Sequence, residues 1–156
     1  MGLSRFVYLG PMLTLPQASF VEPDGVETCC AACPGAPLRS GAFCSHCGAA
    51  LVERPRTRER IVSLHHIVDD VDPSHATSLV DRWYTTETHH RVVLPNKAGP
   101  HHTTLDAYGF LDLPDDAARA AALAWFAEDT QPLQDWLASK DLPPAVLSYG
   151  VLSCAM

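Results

Sequence analysis

Five of the six cysteines in this 156-residue chain lie within nineteen positions, and four of them form two CxxC hooks separated by ten residues. The two hooks are Cys30-x2-Cys33 and Cys44-x2-Cys47. Each CxxC turn can aim two thiolates at one ion, and two such turns complete the tetrahedron that zinc prefers. Gly48 follows the second hook, where a tight turn is needed. The spacing predicts a zinc-ribbon module over residues 27–52 that holds one structural Zn²⁺, because four protein ligands leave no position for a catalytic water.

Two alternatives remain open for these thiols. Disulfide bonds would suit an oxidising compartment, but nothing else in the sequence indicates one. Cys29 could replace Cys30 as a ligand through the spacing Cys29-x3-Cys33, although CxxC is the commoner hook. We expect His46, inside the second hook, to lie at the surface, and Phe43 to cover the site on one side.

Length and composition indicate a single domain over residues 1–156, with the zinc-ribbon module inserted after the first strand. The apolar fraction of 47% and the charged fraction of 19% are typical of a globular chain. A net charge of −7 argues against nucleic-acid binding by the surface as a whole. No apolar run reaches the ~18 residues that a membrane span needs, and glycine and prolines interrupt the apolar N-terminus, so we expect a cytoplasmic protein.

The periodicity of apolar residues predicts the other elements. Residues 5–15 read as a strand broken at Gly10-Pro11, and residues 51–68 alternate in a strand-like way. Apolar residues recur at helical spacing up to Trp83 and predict a helix there. A clearer helix follows a cap at Asp115 or Asp116. In that helix the expected inward residues are Ala121, Ala122, Trp125 and Phe126.

Pro132 should end the long helix, and a second helix should follow it. The chain closes on the apolar stretch "AVLSYGVLSCAM", which reads as a strong strand. Both terminal strands are apolar and would be unfavourable as exposed edges, so residues 6–9 and 146–152 should share one sheet. Together these elements predict an α+β fold, mainly antiparallel sheet, with the zinc-ribbon module near the N-terminus and helices near the C-terminus.

Four of the eleven basic residues occupy alternate positions directly after the zinc-ribbon module. They are Arg54, Arg56, Arg58 and Arg60. In an extended chain all four would lie on one face and could bind a phosphate or an acidic protein. The alternative interpretation is a solvated hairpin edge that charge and Pro55 protect from aggregation.

Paired histidines raise the question of an enzyme. The segment "LHHIVDD" is similar to the opening strand of an HNH endonuclease, in which a histidine activates water beside a divalent metal. This alternative would use His65 or His66 with His89 or His90, but residues 67–88 contain no candidate for the usual asparagine. Adjacent histidines on a strand also face opposite sides. No P-loop, GxSxG or GxGxxG motif is present, so the sequence favours a protein that is not an enzyme.

Three segments carry a resemblance to a known group of proteins. "FVYLGPML" is an aromatic strand ending in a Gly-Pro step, "FCSHCG" forms the second hook, and "SYGVLS" lies in the closing strand. In this order they resemble small zinc-ribbon proteins of tailed phages that have no assigned activity. The doubled Cys29-Cys30 departs from that pattern. The resemblance implies a phage-encoded, zinc-stabilised accessory protein.

These observations predict a non-enzymatic, zinc-stabilised binding or adaptor protein. The expected partner is a macromolecule, with protein favoured over nucleic acid, and no small-molecule substrate is evident. Alternatives are the HNH-like nuclease and a minor structural component of a phage particle. A phage protein of this kind would act in the host cytoplasm or in the virion.

Overall fold

The computed structural model describes residues 5–33, 42–71, 79, 81–86, 91–96, 103–105 and 114–155. The elements found there are β1 (Arg5–Thr14), β2 (Ser19–Cys30), β3 (Leu51–Ile61), α1 (Leu64–Val71), β4 (Trp83–Thr85), β5 (Val92–Pro95), β6 (Thr103–Leu105), α2 (Asp116–Asp129), α3 (Gln131–Ser139) and β7 (Val146–Ala155). Their sheets are mostly antiparallel, the cysteine-rich module lies in the N-terminal half, and two helices precede the last strand. The predicted α+β fold class is therefore confirmed.

The chain divides into two compact units. One unit combines Met1–Ala18 with Ile61–Met156, and the other is Ser19–Arg60. The second unit holds the two-stranded sheet of β2 and β3. The module predicted over residues 27–52 lies inside this second unit.

In the first unit, β1 occupies the middle of a five-stranded sheet. It pairs antiparallel with β7 along its full length, from Arg5 opposite Ala155 to Thr14 opposite Val146. On its other side it pairs with β6 at residues 7–9 and with β5 at residues 13 and 14, and β4 pairs with β5. The predicted placement of the two terminal strands in one sheet is confirmed.

The Gly10-Pro11 step does not break β1, contrary to the sequence expectation. Pro11 cannot donate a backbone hydrogen bond, and it falls between the segments of β1 that pair with β6 and with β5. The Tyr8 hydroxyl donates to the Pro11 carbonyl at 2.5 Å. A Cβ on Gly10 would lie 2.6 Å from that hydroxyl oxygen, so glycine is needed for the Tyr8 side chain to fold over the strand.

The core of the first unit is built from both terminal strands and the helices. On the sheet, the buried cluster contains Tyr8, Val92, Leu94 and Leu152. Helix α2 packs against β1 and β7, and α1 packs against α3. The Trp136 indole N–H donates to Asp70 at 2.7 Å and ties α3 to α1. The Trp83 indole N–H donates to Asp129 at 2.6 Å and ties β4 to the end of α2.

The helix boundaries follow local chemistry. The Asp115 carboxylate accepts the Ala118 N–H at 2.8 Å and caps α2, as predicted. Pro132 lies in the first turn of α3, where its missing N–H costs little, and α2 has already ended at Asp129. Two of the four side chains predicted to face inward from α2, Ala122 and Phe126, are fully buried.

The other two differ from the expectation, since Ala121 is exposed and Trp125 is half-buried. The helix predicted up to Trp83 is also wrong at its C-terminal end, because Trp83 begins β4 and is buried there. The apolar periodicity continued across an element boundary that the pattern alone does not mark. Residues 72–78 and 80, where the rest of that helix was expected, lie outside the described residues.

Candidate metal centre

The second unit is an antiparallel ribbon whose two strands are largely exposed to solvent. Every residue of β3 from position 52 to 59 is exposed, and β2 buries only three of its twelve residues. A lone two-stranded hairpin is marginally stable in water because it has no buried apolar face. The ribbon therefore needs a further source of stability.

The cysteines lie at one end of this ribbon. Cys30 is the last residue of β2, and Cys44 and Cys47 precede β3. The Cys44 N–H donates to the Ala49 carbonyl at 2.7 Å, and the Gly48 N–H donates to the Cys44 carbonyl at 2.8 Å. These bonds form a tight knuckle, which Gly48 allows because its φ of 75° lies in the left-handed region.

The structure brings Cys30, Cys33, Cys44 and Cys47 together, with their sulfur atoms within 4.8 Å of one another. The Cys30 and Cys47 sulfurs are 3.4 Å apart, too far for a disulfide bond of ~2.05 Å. Four sulfurs at ~2.3 Å from a central zinc would be about 3.8 Å apart. The cluster thus has the donor type, number and spacing of a tetrahedral thiolate site that could hold a metal ion.

The electrostatics of the cluster favour an anionic sulfur at the knuckle. Backbone N–H groups of Cys47 and then His46 donate to the Cys44 sulfur and lower the pKa of that thiol to about 6. The pKa of Cys33 shifts in the opposite direction. Interaction with the neighbouring thiols, that of Cys47 first, raises it to about 12. Protons and a metal ion compete for such sulfurs, and a bound cation would remove the mutual repulsion of the thiolates.

Cys29 lies outside this group of four sulfurs, although it is buried. Neighbouring residues of a strand point to opposite faces, so Cys29 and Cys30 cannot both face the knuckle. His46 is exposed, as expected. Phe43 pairs with Ala50 through its backbone, but its side chain is 66% exposed, so most of its ring faces solvent rather than the thiols.

The four arginines of β3 form a ladder of ion pairs with acidic residues of β2. Arg56 binds Asp24 at 2.6 Å, and Arg58 and Arg60 both bind Glu22 at 2.6 Å. Arg54 binds Glu27. Hydrogen bonds from Arg58 first, and then from Arg60, lower the pKa of the Glu22 carboxyl group. Sequence reasoning missed this ladder, although Glu22 and Asp24 already alternate like the arginines.

A bulge in β2 allows Glu27 to face the arginines on the same side as Glu22 and Asp24. Asp24 and Glu27 are three residues apart, whereas their partners Arg56 and Arg54 are two apart, so β2 contains one extra residue between the pairs. Gly25 lies there with a φ of 75°, the left-handed conformation that glycine adopts without strain. Without the extra residue, Glu27 would point to the opposite face.

The histidines do not form a second site in the described part of the chain. Residues 64–71 are the helix α1 and not the opening strand that an HNH-like site would need, which corrects the sequence expectation. The Leu64, Ile67 and Val68 side chains recur at helical spacing and are buried, so this face of the segment decides its conformation. His89 and His90 lie outside the described residues, and within those residues the four cysteines are the only group of three or more potential metal ligands that lie close together.

The site is therefore a four-cysteine cluster at the end of a two-stranded ribbon, and it could hold a metal ion. No protein-family model, curated protein or solved structure matches the chain. Across the described residues, no helix is both long and apolar enough to cross a membrane.

Proposed function

We propose that this chain is a non-enzymatic, zinc-stabilised binding protein whose Ser19–Arg60 unit engages a protein partner. The observation that carries the proposal is the cluster of four cysteine sulfurs within 4.8 Å at the end of an otherwise exposed ribbon. Four thiolates complete the zinc shell, so the metal would stabilise the ribbon and leave no open position for a substrate. Structural zinc contributes folding free energy directly, which a hairpin without a core requires.

Charge favours a protein partner over a nucleic acid. Residues 19–60 contain five arginines and five acidic residues, so their formal charges cancel. Zinc with four thiolates adds about −2, which disfavours phosphate. The ion-pair ladder also occupies the four arginines that could otherwise neutralise a nucleic-acid backbone.

The surface of the unit is suited to protein contact. Four large apolar side chains are 45–66% exposed: Val21, Val26, Phe43 and Val52. The arginines keep 29–58% of their side chains accessible while the ladder holds them in position. Interfaces between proteins favour such aromatic and arginine side chains, held in one conformation before binding. The phage origin and the host-cytoplasm or virion location in this proposal rest on the sequence resemblance alone.

The metal is tested by elemental analysis of protein purified without added zinc. About one zinc per chain is expected, since one set of four ligands binds one ion. Cys44→Ser should lose the metal, whereas the matched variant Cys29→Ser should keep it. Absence of metal in a chain whose four thiols are paired as disulfides would refute the zinc site.

The partner is tested by affinity capture from source-cell lysate with the zinc-loaded full chain, with and without nuclease treatment. We expect a protein to be captured in both cases and to be lost with Phe43→Ala. Val71→Ala, on the exposed surface of α1, serves as the matched control and should retain it. Capture that depends on nucleic acid would overturn the protein partner. Cleavage of plasmid with Mg²⁺ that disappears in His66→Ala would overturn the non-enzymatic role.

A further inference from the structure

The free edge of β7 is the longest unprotected strand edge in the described structure. Of the strands that the structure describes, only β1 pairs with β7, and it does so on one side along all ten residues. In an antiparallel pair, alternate residues point their N–H and C=O groups away from the partner strand. About half of the β7 residues therefore present both backbone groups along the outer edge.

The composition of β7 lacks the features that usually protect an edge. Its sequence, "VLSYGVLSCA", contains no charged residue and no proline. The register with β1 is continuous over ten residue pairs, so no bulge bends the strand away from a partner. Val146 and Val151 are 64% and 56% exposed. Long, regular and apolar edges of this kind pair with other strands.

The ribbon strands of the same chain show the contrast. Pro23 lies in β2 and Pro55 in β3, and each removes a backbone donor from its strand. Charged residues alternate along both strands. These are the protections that natural edge strands use, and β7 has none of them.

We propose that β7 pairs antiparallel with β7 of a second copy of this chain, so that two five-stranded sheets join across a two-fold axis. An uncharged strand is complementary to its own copy, because antiparallel pairing about the axis brings no like charges together. The paired length would be about 33 Å for ten residues. It would supply about ten backbone hydrogen bonds, which is the number that a typical protein–protein interface contains.

The test is sedimentation equilibrium of the zinc-loaded full chain. A reversible dimer is expected, and Val146→Lys and Val151→Lys should each weaken it at least about tenfold, since each change appears in both strands. The matched control is Val21→Lys, which alters a valine of similar exposure (65%) on β2. A monomer at concentrations up to about 1 mM would overturn the proposal. Weakening by Val21→Lys alone would place the interface on the ribbon and would also overturn it.

Amide hydrogen exchange provides a readout that does not depend on any variant. In the wild-type chain, the outward N–H groups of β7 should become protected as the protein concentration rises. Those of β2 and β3 should not change. Exchange in β7 that is independent of concentration, in a sample that is dimeric by sedimentation, would show that the copies associate elsewhere and would refute the pairing.

Discussion

The two longest strand pairs in the described part of the chain, β2–β3 and β1–β7, are stabilised in opposite ways. The ribbon pair is exposed, carries a ladder of ion pairs and ends at the cysteine cluster. The terminal pair packs on α2 and contributes Tyr8, Leu13 and Leu152 to the core. Exposed ion pairs contribute little, whereas a buried apolar side chain contributes about 1.5–3 kcal/mol. Our proposal therefore implies that the ribbon pair depends on a metal and the terminal pair does not.

The largest expected effect is removal of the metal, which separates the two pairs most directly. A strong chelator should unfold the ribbon, because zinc sites of this type supply on the order of 10 kcal/mol of folding free energy. Hydrogen exchange should then lose protection in peptides from residues 19–30 and 51–60. Peptides from residues 146–155 should keep their protection. Equal loss of protection in both pairs would show that the comparison is wrong.

The second test acts on the terminal pair. Leu13→Ala removes a side chain that is 1% exposed and should cost about 3 kcal/mol in the free energy of unfolding. Thermal or urea denaturation would measure the loss. The zinc content should remain at about one per chain, because the cysteine cluster belongs to the other unit. Loss of zinc in this variant would contradict the independence of the two pairs.

Glycine substitutions test how closely the Tyr8 side chain packs over Gly10 in β1. Gly10→Ala should destabilise the first unit by about 2 kcal/mol, because the new methyl group would meet the Tyr8 hydroxyl at 2.6 Å. Gly150→Ala is the matched change on the paired strand, and its Cβ would meet only Met12 at 3.7 Å. Denaturation midpoints should therefore fall for Gly10→Ala and stay nearly constant for Gly150→Ala.

The smallest expected effect concerns the ladder. Arg56→Gln should change the free energy of unfolding by less than about 0.5 kcal/mol, since exposed ion pairs are worth little. The difference should vanish at about 1 M salt, where screening is nearly complete. A loss of more than 2 kcal/mol would show that the ladder, and not the metal, stabilises the ribbon.

Several features could be predicted from residue patterns because they depend on local chemistry. The hook spacing Cys30-x2-Cys33 and Cys44-x2-Cys47 indicated one site, and the four sulfurs do lie together. Asp115 caps the start of α2, and Pro132 lies in the first turn of α3, where its missing N–H costs little. The pairing of the terminal strands is a contact between distant residues, and it could be predicted only because two apolar strands are unfavourable as exposed edges.

Other features were decided only by the tertiary structure. Whether the Gly10-Pro11 step ends a strand depends on the neighbouring strands: β7 pairs with β1 through this step, and among the described strands the segments paired with β6 and β5 lie on either side of it. The arginines of β3 read as a basic strip until the fold places Glu22 and Asp24 opposite them. The bulge at Gly25 and the edge position of β7 depend on strand order and register. These are contacts between distant residues, so no local propensity encodes them, whereas hooks, caps and turns act over a few neighbouring residues.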